Sequence, residues 1–225
     1  MDQPGLDVAD HRQALDALRR INQFSAGARA LWPWVRGFCQ DRRNQGDPTP
    51  VRLLDVATGG GDLPVQLWKK AQRQGLPLEV AGCDKSALAV EYAQSHAQNA
   101  RAEATFFTHD VVADPLPTGY DVVTSSLFLH HLDEPEALEV LRALGNAGEL
   151  VLVDDLRRGA VGWALAYVGV RVLSRSRVAH VDGPLSVEGA FTPAEARALA
   201  VRAGWVDVEV RSRWPCRFVL IGRRA

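Results

Sequence analysis

The sequence predicts an α/β fold: seven strands in a mostly parallel sheet, helices on both faces, and an antiparallel hairpin at the C-terminal end. Three observations carry this. Short apolar runs alternate with helical patterns from residue 51 to residue 153, the β-α-β-α order that builds a parallel sheet. A glycine-rich turn, "ATGGGD" at 57–62, joins the first apolar run directly to the first helix of that series. At the end, "WVDVEVRSRWPCRFVLIGRR" holds two strand-like runs so close together that only antiparallel pairing is open to them.

Taken in order, helical patterns fill 8–22 and 26–43, and "NQGDPTP" is a linker rich in turn-formers. Strands follow near 51–56, 78–83, 104–108, 120–125 and 149–153, with helices near 62–74, 86–99 and 134–144. Asp133 with Glu136, and Thr192 with Glu195, have capping-box spacing, and Pro193 falls at a first helical position. At 225 residues and 47% apolar content the chain can bury the core of a single domain.

Composition excludes several classes. A net charge of −1 gives no basic field for nucleic acid. Cys39, Cys83 and Cys216 are too widely spaced for a disulfide framework or a zinc motif, and Cys83 reads as a buried small hydrophobe. The start, "MDQPGLDVAD", lacks a secretory pattern, so the expected compartment is the cytoplasm. The most apolar run, 160–173, is shorter than the roughly 20 residues a spanning helix needs and contains Arg171.

The glycine turn shows which ligand to expect. In a dinucleotide fingerprint the third glycine allows close contact between helix and strand, but that place is taken by Pro64. Asp55 and Asp62, with Asp62 expected to cap the helix, put negative charge where a pyrophosphate would sit. Such a corner suits a cation, and S-adenosylmethionine carries both a sulfonium and an ammonium. Asp84 ends the second strand, 23 residues after Gly61, where a carboxylate can accept from both ribose hydroxyls or else cap the next helix. Asp110 and Val111 follow the third strand, where a carboxylate and an N–H suit an adenine edge. The fourth strand ends in Ser125 and Ser126, then a turn with His130 and His131.

These motifs together resemble the class I S-adenosylmethionine-dependent methyltransferases. The run D-x-A-x-G-x-G-D at 55–62, Asp84, Asp110 and "SSLFLHHLDEPE" match that family's successive strand-tip motifs over about residues 50–155. With Ala57 in place of the usual first glycine, the corner is similar to the ubiquinone/menaquinone subgroup, whereas "HHLDEPE" is nearer to general small-molecule enzymes. The resemblance implies a Rossmann-like fold with a helical cap (1–48), a cofactor-binding core (49–155), a substrate-covering insertion (156–190) and a closing helix and hairpin (191–225). It implies cofactor contacts from Asp55, Ala57, Thr58, Gly59, Gly61, Asp84, Lys85, Asp110, Val111, Ser125 and Ser126.

Methyl transfer asks the protein mainly to align a nucleophile and exclude water, and a protonated oxygen or nitrogen nucleophile also calls for a base. His130, His131 and His180 are the candidates, each with a bland alternative as a loop or surface residue. Trp32, Trp34 and Phe38 are expected to roof a pocket, and Trp163, Tyr167 and Leu173 to face a lipophilic or aromatic acceptor. Asp154-Asp155 has no recognisable third ligand, so no metal is expected. The expected reaction is O-methylation of a small acceptor by a monomer or homodimer, without nucleic acid or a membrane span. The alternative is a non-catalytic protein that binds the cofactor or serves as a partner subunit. An exocyclic-amine enzyme would need an Asn/Asp-Pro-Pro turn where Ser125-Ser126-Leu127-Phe128 stands, and a cytosine C5 enzyme a mid-sheet Pro-Cys, whereas Pro215-Cys216 lies in the last hairpin.

Overall fold

The computed structural model describes residues 27–173 and 177–224, with side chains for all of these except 169–182. The helix predicted over 8–22 lies outside the described residues, as do the side chains of Arg171, Leu173, Arg177 and His180, and the whole of Arg175. The seven strands form a mixed sheet in which only the last runs against the rest. The chain divides into two compact units, 1–110 and 111–225.

The first unit runs α1 (Gly27–Asn44), β1 (Val51–Val56), α2 (Asp62–Arg73), β2 (Leu78–Asp84), α3 (Ala87–Ala100) and β3 (Ala104–Thr108). Its strands lie parallel in the order β3-β2-β1, with Leu53 opposite Val80 and Val80 opposite Ala104. This register brings the C-terminal ends of β1 and β2 level, so Asp55 and Asp84 sit at one edge of the sheet, where open α/β sheets bind ligands. Phe106 of β3 packs with Val65, Val90, Ala93 and Ala97 in a core beneath α2 and α3. On α1, Leu31, Val35 and Cys39 form a buried stripe at helical spacing. Trp32, expected in a pocket roof, is instead buried, with the Lys70 ammonium 6.0 Å from its ring. Trp34 and Phe38 are half-buried on the same helix.

The second unit holds β4 (Tyr120–Ser126), a 3₁₀ turn (Leu129–His131), α4 (Glu134–Ala147), β5 (Gly148–Leu156), α5 (Ala160–Leu173), α6 (Arg177–Gly189), α7 (Pro193–Arg202), β6 (Trp205–Arg213) and β7 (Arg217–Arg224). Its strand order is β4-β5-β7-β6, with β4 parallel to β5 and β7 antiparallel to both its neighbours. β5 is buried from Leu150 through Asp155, as a strand covered on both faces must be. Both predicted capping boxes form: Asp133 accepts from the Glu136 N–H, and Thr192 from the Glu195 N–H, with each glutamate returning a bond to its cap. The insertion after β5 is a pair of packed helices, α5 and α6.

Candidate active site

In the first unit the site is the turn between β1 and α2. Asp55 is 2% exposed and accepts the Thr58 hydroxyl hydrogen at 2.7 Å. Ala57 and Gly59 both have positive φ (56° and 53°), which folds the chain back over the strand end. The Thr58 N–H donates to the Cys83 carbonyl at 2.9 Å, tying the turn to β2. Asp84 completes the tie: one carboxylate oxygen accepts the Gly59 N–H at 2.8 Å and the other the Ser86 N–H at 3.0 Å. The cap of α3 is Ser86, whose hydroxyl accepts the Ala89 N–H, so Asp84 is not the helix cap that was its alternative role. Lys85 is exposed beside it, and Asp110 is half-buried beyond β3. Cys83 behaves as read: burial, reinforced by Asp55 and Asp84, pushes its thiol up to about 12, so it stays protonated and unreactive.

Two groups here escaped sequence reading. His96 of α3 places Nδ1 3.1 Å from the Gly60 carbonyl oxygen, which can only accept, so Nδ1 carries the proton. Tyr92, one turn earlier, packs so close that a Cβ on Gly60 would lie 3.2 Å from its ring. Together they hold the glycine turn from behind. Asp62, expected to cap α2, occupies the first helical position after Gly61, the true cap, and faces His96 at 3.8 Å. A carboxylate in a helix's first turn is favoured by the backbone dipole.

The three glycines do different work. A Cβ on Gly61 would meet Phe106 at 2.8 Å and Ala93 at 2.9 Å, and its φ is +72°. Gly61 is therefore demanded by the packing of the protein itself, not by ligand space as its place in the motif suggests. A Cβ on Gly59 would meet nothing within 4 Å. Gly61→Val should destabilise the fold by about 2–6 kcal/mol, from backbone strain and overpacking together. Gly59→Val should keep the fold, apart from about 1–2 kcal/mol of strain at positive φ, and lose cofactor affinity. Thermal melts and calorimetry of the two variants check this; equal stability, or unchanged affinity in Gly59→Val, contradicts it.

In the second unit the tips of β4 and β5 build a buried polar cluster. The chain turns at Leu127 with φ +57°, its N–H bonded to the Asp154 carbonyl at 3.0 Å. The next two N–H groups, of Phe128 and Leu129, donate to one oxygen of Asp155 at 3.1 and 2.6 Å. The other oxygen lies 2.6 Å from His130 Nδ1 and accepts the Leu156 N–H. Burial pushes the Asp155 carboxyl up, but the His130 ring and the backbone donors outweigh it and hold it below the usual range. A carboxylate only accepts, so His130 carries its proton on Nδ1 and, when neutral, a lone pair on Nε2.

Asp154 points to the other side of the strand and meets different partners. Arg213 reaches both its oxygens at 2.8–2.9 Å, and Arg217 joins through Nη2 at 2.7 Å. Burial pushes Asp154 up and Arg217 down, and each opposes the shift in the other. The two guanidinium groups on one carboxylate supply the charge that offsets its burial. Asp154 and Asp155 thus hydrogen-bond to different side chains, while the Arg217 guanidinium also helps to lower the Asp155 carboxyl. Ser125 is buried in β4, and Ser126 lies 3.4 Å from Arg217 Nη2. His131 is exposed, its ring 4.0 Å from that of His130, and Val111 is half-buried. A cavity of about 440 Å³ beside this turn is lined by Leu132, Glu188, Phe191 and Arg202, among others, but not by His130.

Residues 53–147 match the family model described as a methyltransferase domain. The chain is 32% identical over 202 residues to the demethylmenaquinone methyltransferase of Thermus thermophilus, an alignment covering 84% of this chain and 87% of that protein. The chain belongs to the class I S-adenosylmethionine-dependent methyltransferases. A more distant relative is the ubiquinone biosynthesis O-methyltransferase of Paraburkholderia phytofirmans, 28% identical over 128 residues, or 55% of this chain and 52% of that one. The chain thus spans about half the length of that relative. Among solved structures, the magnesium protoporphyrin IX methyltransferase of Synechocystis PCC 6803, with S-adenosylhomocysteine bound, is similar in fold (TM-score 0.57, 19% identity, 86% of this chain and 83% of that chain). The corner suits this methyltransferase's cofactor, S-adenosylmethionine: Gly59 leaves open space, and the Asp84 oxygens each retain lone pairs beyond their backbone bonds.

Proposed function

We propose that this methyltransferase, which acts on small molecules, methylates a hydroxyl oxygen on an aromatic or lipophilic acceptor, with His130 as the base. S-adenosylmethionine supplies a methyl group already activated by its sulfonium. Asp84 accepts from the ribose hydroxyls, Gly59 offers bare backbone to the methionine part, and Asp55 faces its ammonium. Asp110 and Val111 take the adenine; Ala57, Thr58, Lys85, Ser125 and Ser126 line the remaining contacts. Gly61 acts one step removed, by letting α2 start hard against Phe106.

The observation that carries the base assignment is the 2.6 Å contact of His130 Nδ1 with Asp155. It fixes the tautomer, so Nε2 takes the hydroxyl proton, and the buried carboxylate stabilises the imidazolium that results. His131 lies exposed on the same turn, and the side chain of His180 lies outside the described residues. The name of one relative, a ubiquinone biosynthesis O-methyltransferase, supports an oxygen acceptor of the quinone-precursor kind.

The test is turnover. The protein is incubated with methyl-labelled S-adenosylmethionine and a panel of substituted phenols and catechols, and labelled product is counted. Product with at least one phenol supports the proposal. Tight cofactor binding with no turnover of any acceptor returns the chain to the non-catalytic reading.

A further inference from the structure

We infer that Arg217, from the C-terminal hairpin, is a positioning residue for His130: it locks the joint at which the turn carrying that histidine leaves β4. Strand register puts it there. Ser126 pairs with Asp154, Leu156 with Arg217, and Arg217 with Arg213. Side chains alternate along a strand, so Ser126, Asp154, Arg217 and Arg213 share one face of the sheet at the carboxyl ends of β4 and β5. Arg217 is 4% exposed in that place. Asp155, one residue on, turns to the opposite face, where it meets His130.

Four contacts of one guanidinium converge on the joint. Nε donates to Asp154 Oδ1 at 3.2 Å and Nη2 to Oδ2 at 2.7 Å. Two longer contacts of the same Nη2 reach Ser126 Oγ, on the last residue of β4, at 3.4 Å and the Asp154 backbone carbonyl at 3.5 Å. That carbonyl also accepts the Leu127 N–H at 3.0 Å, where the chain turns off the strand with φ +57°. His130 stands three residues further on. Arg217 therefore ties the end of β4 to both the side chain and the backbone of β5. A planar fork fixes angles as well as distances, which an ammonium does not. Its charge reaches across the strand too. Burial pushes the Asp155 carboxyl up, and Arg217 adds to the His130 ring and the Leu156 N–H that hold it down.

The plainer role for this cluster is a staple between the hairpin and β5. A buried ion triad is a poor device for that alone, because apolar residues of similar volume often fasten two strands as well or better. The hairpin is also held already, by a β5–β7 ladder running from Leu150–Arg223 to Leu156–Arg217 and by the buried Phe218 and Leu220. What needs fine placement is the turn. Its Phe128 and Leu129 N–H groups and its His130 Nδ1 must all meet one carboxylate, at 3.1, 2.6 and 2.6 Å. From α6, Gly189 packs against the turn so closely that a Cβ would lie 2.9 Å from the His130 carbonyl oxygen. Arg217 supplies the matching hold from the strand side.

This inference rests on the reading of His130 as the base, and the test separates the two. The His130 tautomer is read by nitrogen NMR of histidine-labelled protein with S-adenosylhomocysteine bound, at a pH where the ring is neutral, so no acceptor is needed. Wild type should carry the proton on Nδ1 alone. R217Q should show both tautomers, as an unrestrained imidazole does, and R217K, which restores the charge without the fork, should recover only part of the preference. On the phenol that wild type turns over, R217Q should lower kcat about 10–100-fold, with KM and S-adenosylhomocysteine affinity within about twofold of wild type. Breaking a buried pair can unfold a domain, so D154L/R213M/R217M removes all three charges together. It should fold by circular dichroism and show the same tautomer mixture and the same loss of kcat. A mixture already present in wild type, a folded variant with the wild-type tautomer, or R217Q at wild-type kcat while H130A is slow overturns the inference. If H130A itself keeps the wild-type rate, the base reading fails, and the tautomer comparison still decides whether Arg217 sets the ring.

Discussion

Replacing His130 by alanine is expected to lower kcat by about 10²–10⁴-fold on an oxygen acceptor, with the affinity for S-adenosylmethionine unchanged. The expectation follows from the Asp155 contact, because an imidazole whose Nδ1–H is held at 2.6 Å by a buried carboxylate presents one fixed basic nitrogen. Asp155 acts through His130 and is a positioning residue. Asp155→Asn should lower kcat with little change in KM, since an amide can present its N–H to Nδ1 and favour the wrong tautomer. The same variant carries a stability signature. A carboxyl held below its ordinary value of about 3.9 stabilises the fold above that value and loses the contribution as pH falls through the folded one. Wild type should therefore lose stability in acid more steeply than Asp155→Asn. If His130→Ala keeps its rate within a few-fold of wild type, the nucleophile ionises unaided and the base assignment is wrong.

The second large effect is expected at Asp84. Asp84→Ala should weaken S-adenosylmethionine binding by about 10²–10⁴-fold, two charge-assisted hydrogen bonds at about 1.5–3 kcal/mol each. The side chain also holds the Gly59 N–H at 2.8 Å and the Ser86 N–H at 3.0 Å, so its loss also frees the glycine turn. Asp84→Asn separates the two roles. The amide oxygen can keep one backbone bond, while the charge that strengthens the ribose bonds is gone. Calorimetry should rank wild type, asparagine and alanine in that order; affinity equal to wild type in the alanine variant contradicts the ribose assignment.

Local sequence carried much of this architecture. The alternation of apolar runs and helical patterns marks β1 through β5, and both capping boxes form at the spacing that announces them. The candidate cofactor corner was visible as a glycine turn between a strand and a helix, a contiguous pattern, and Asp84 as the end of the next strand. What escaped depends on partners brought together only by the sheet. Asp155 meets His130 across 25 residues of chain because β4 and β5 pair in register, which no spacing rule reveals. Asp154, read only as half of a doubtful metal pair, turns out to hold Arg213 and Arg217 from the last hairpin. Gly61 looked like ligand space, but Phe106, 45 residues later, fills the place its side chain would take. Trp32 looked available for a pocket until the α1–α2 packing covered it.

Where the methyl group goes is the most direct question for the mechanism. Wild type and His130→Ala are each incubated with ¹³C-methyl S-adenosylmethionine and the phenol on which turnover is found, and the product is read by carbon NMR. The account predicts a methyl carbon bonded to oxygen in the wild-type product, and that same product formed at least 100-fold more slowly by the variant. A methyl carbon bonded to ring carbon, or equal rates in the two proteins, would contradict it.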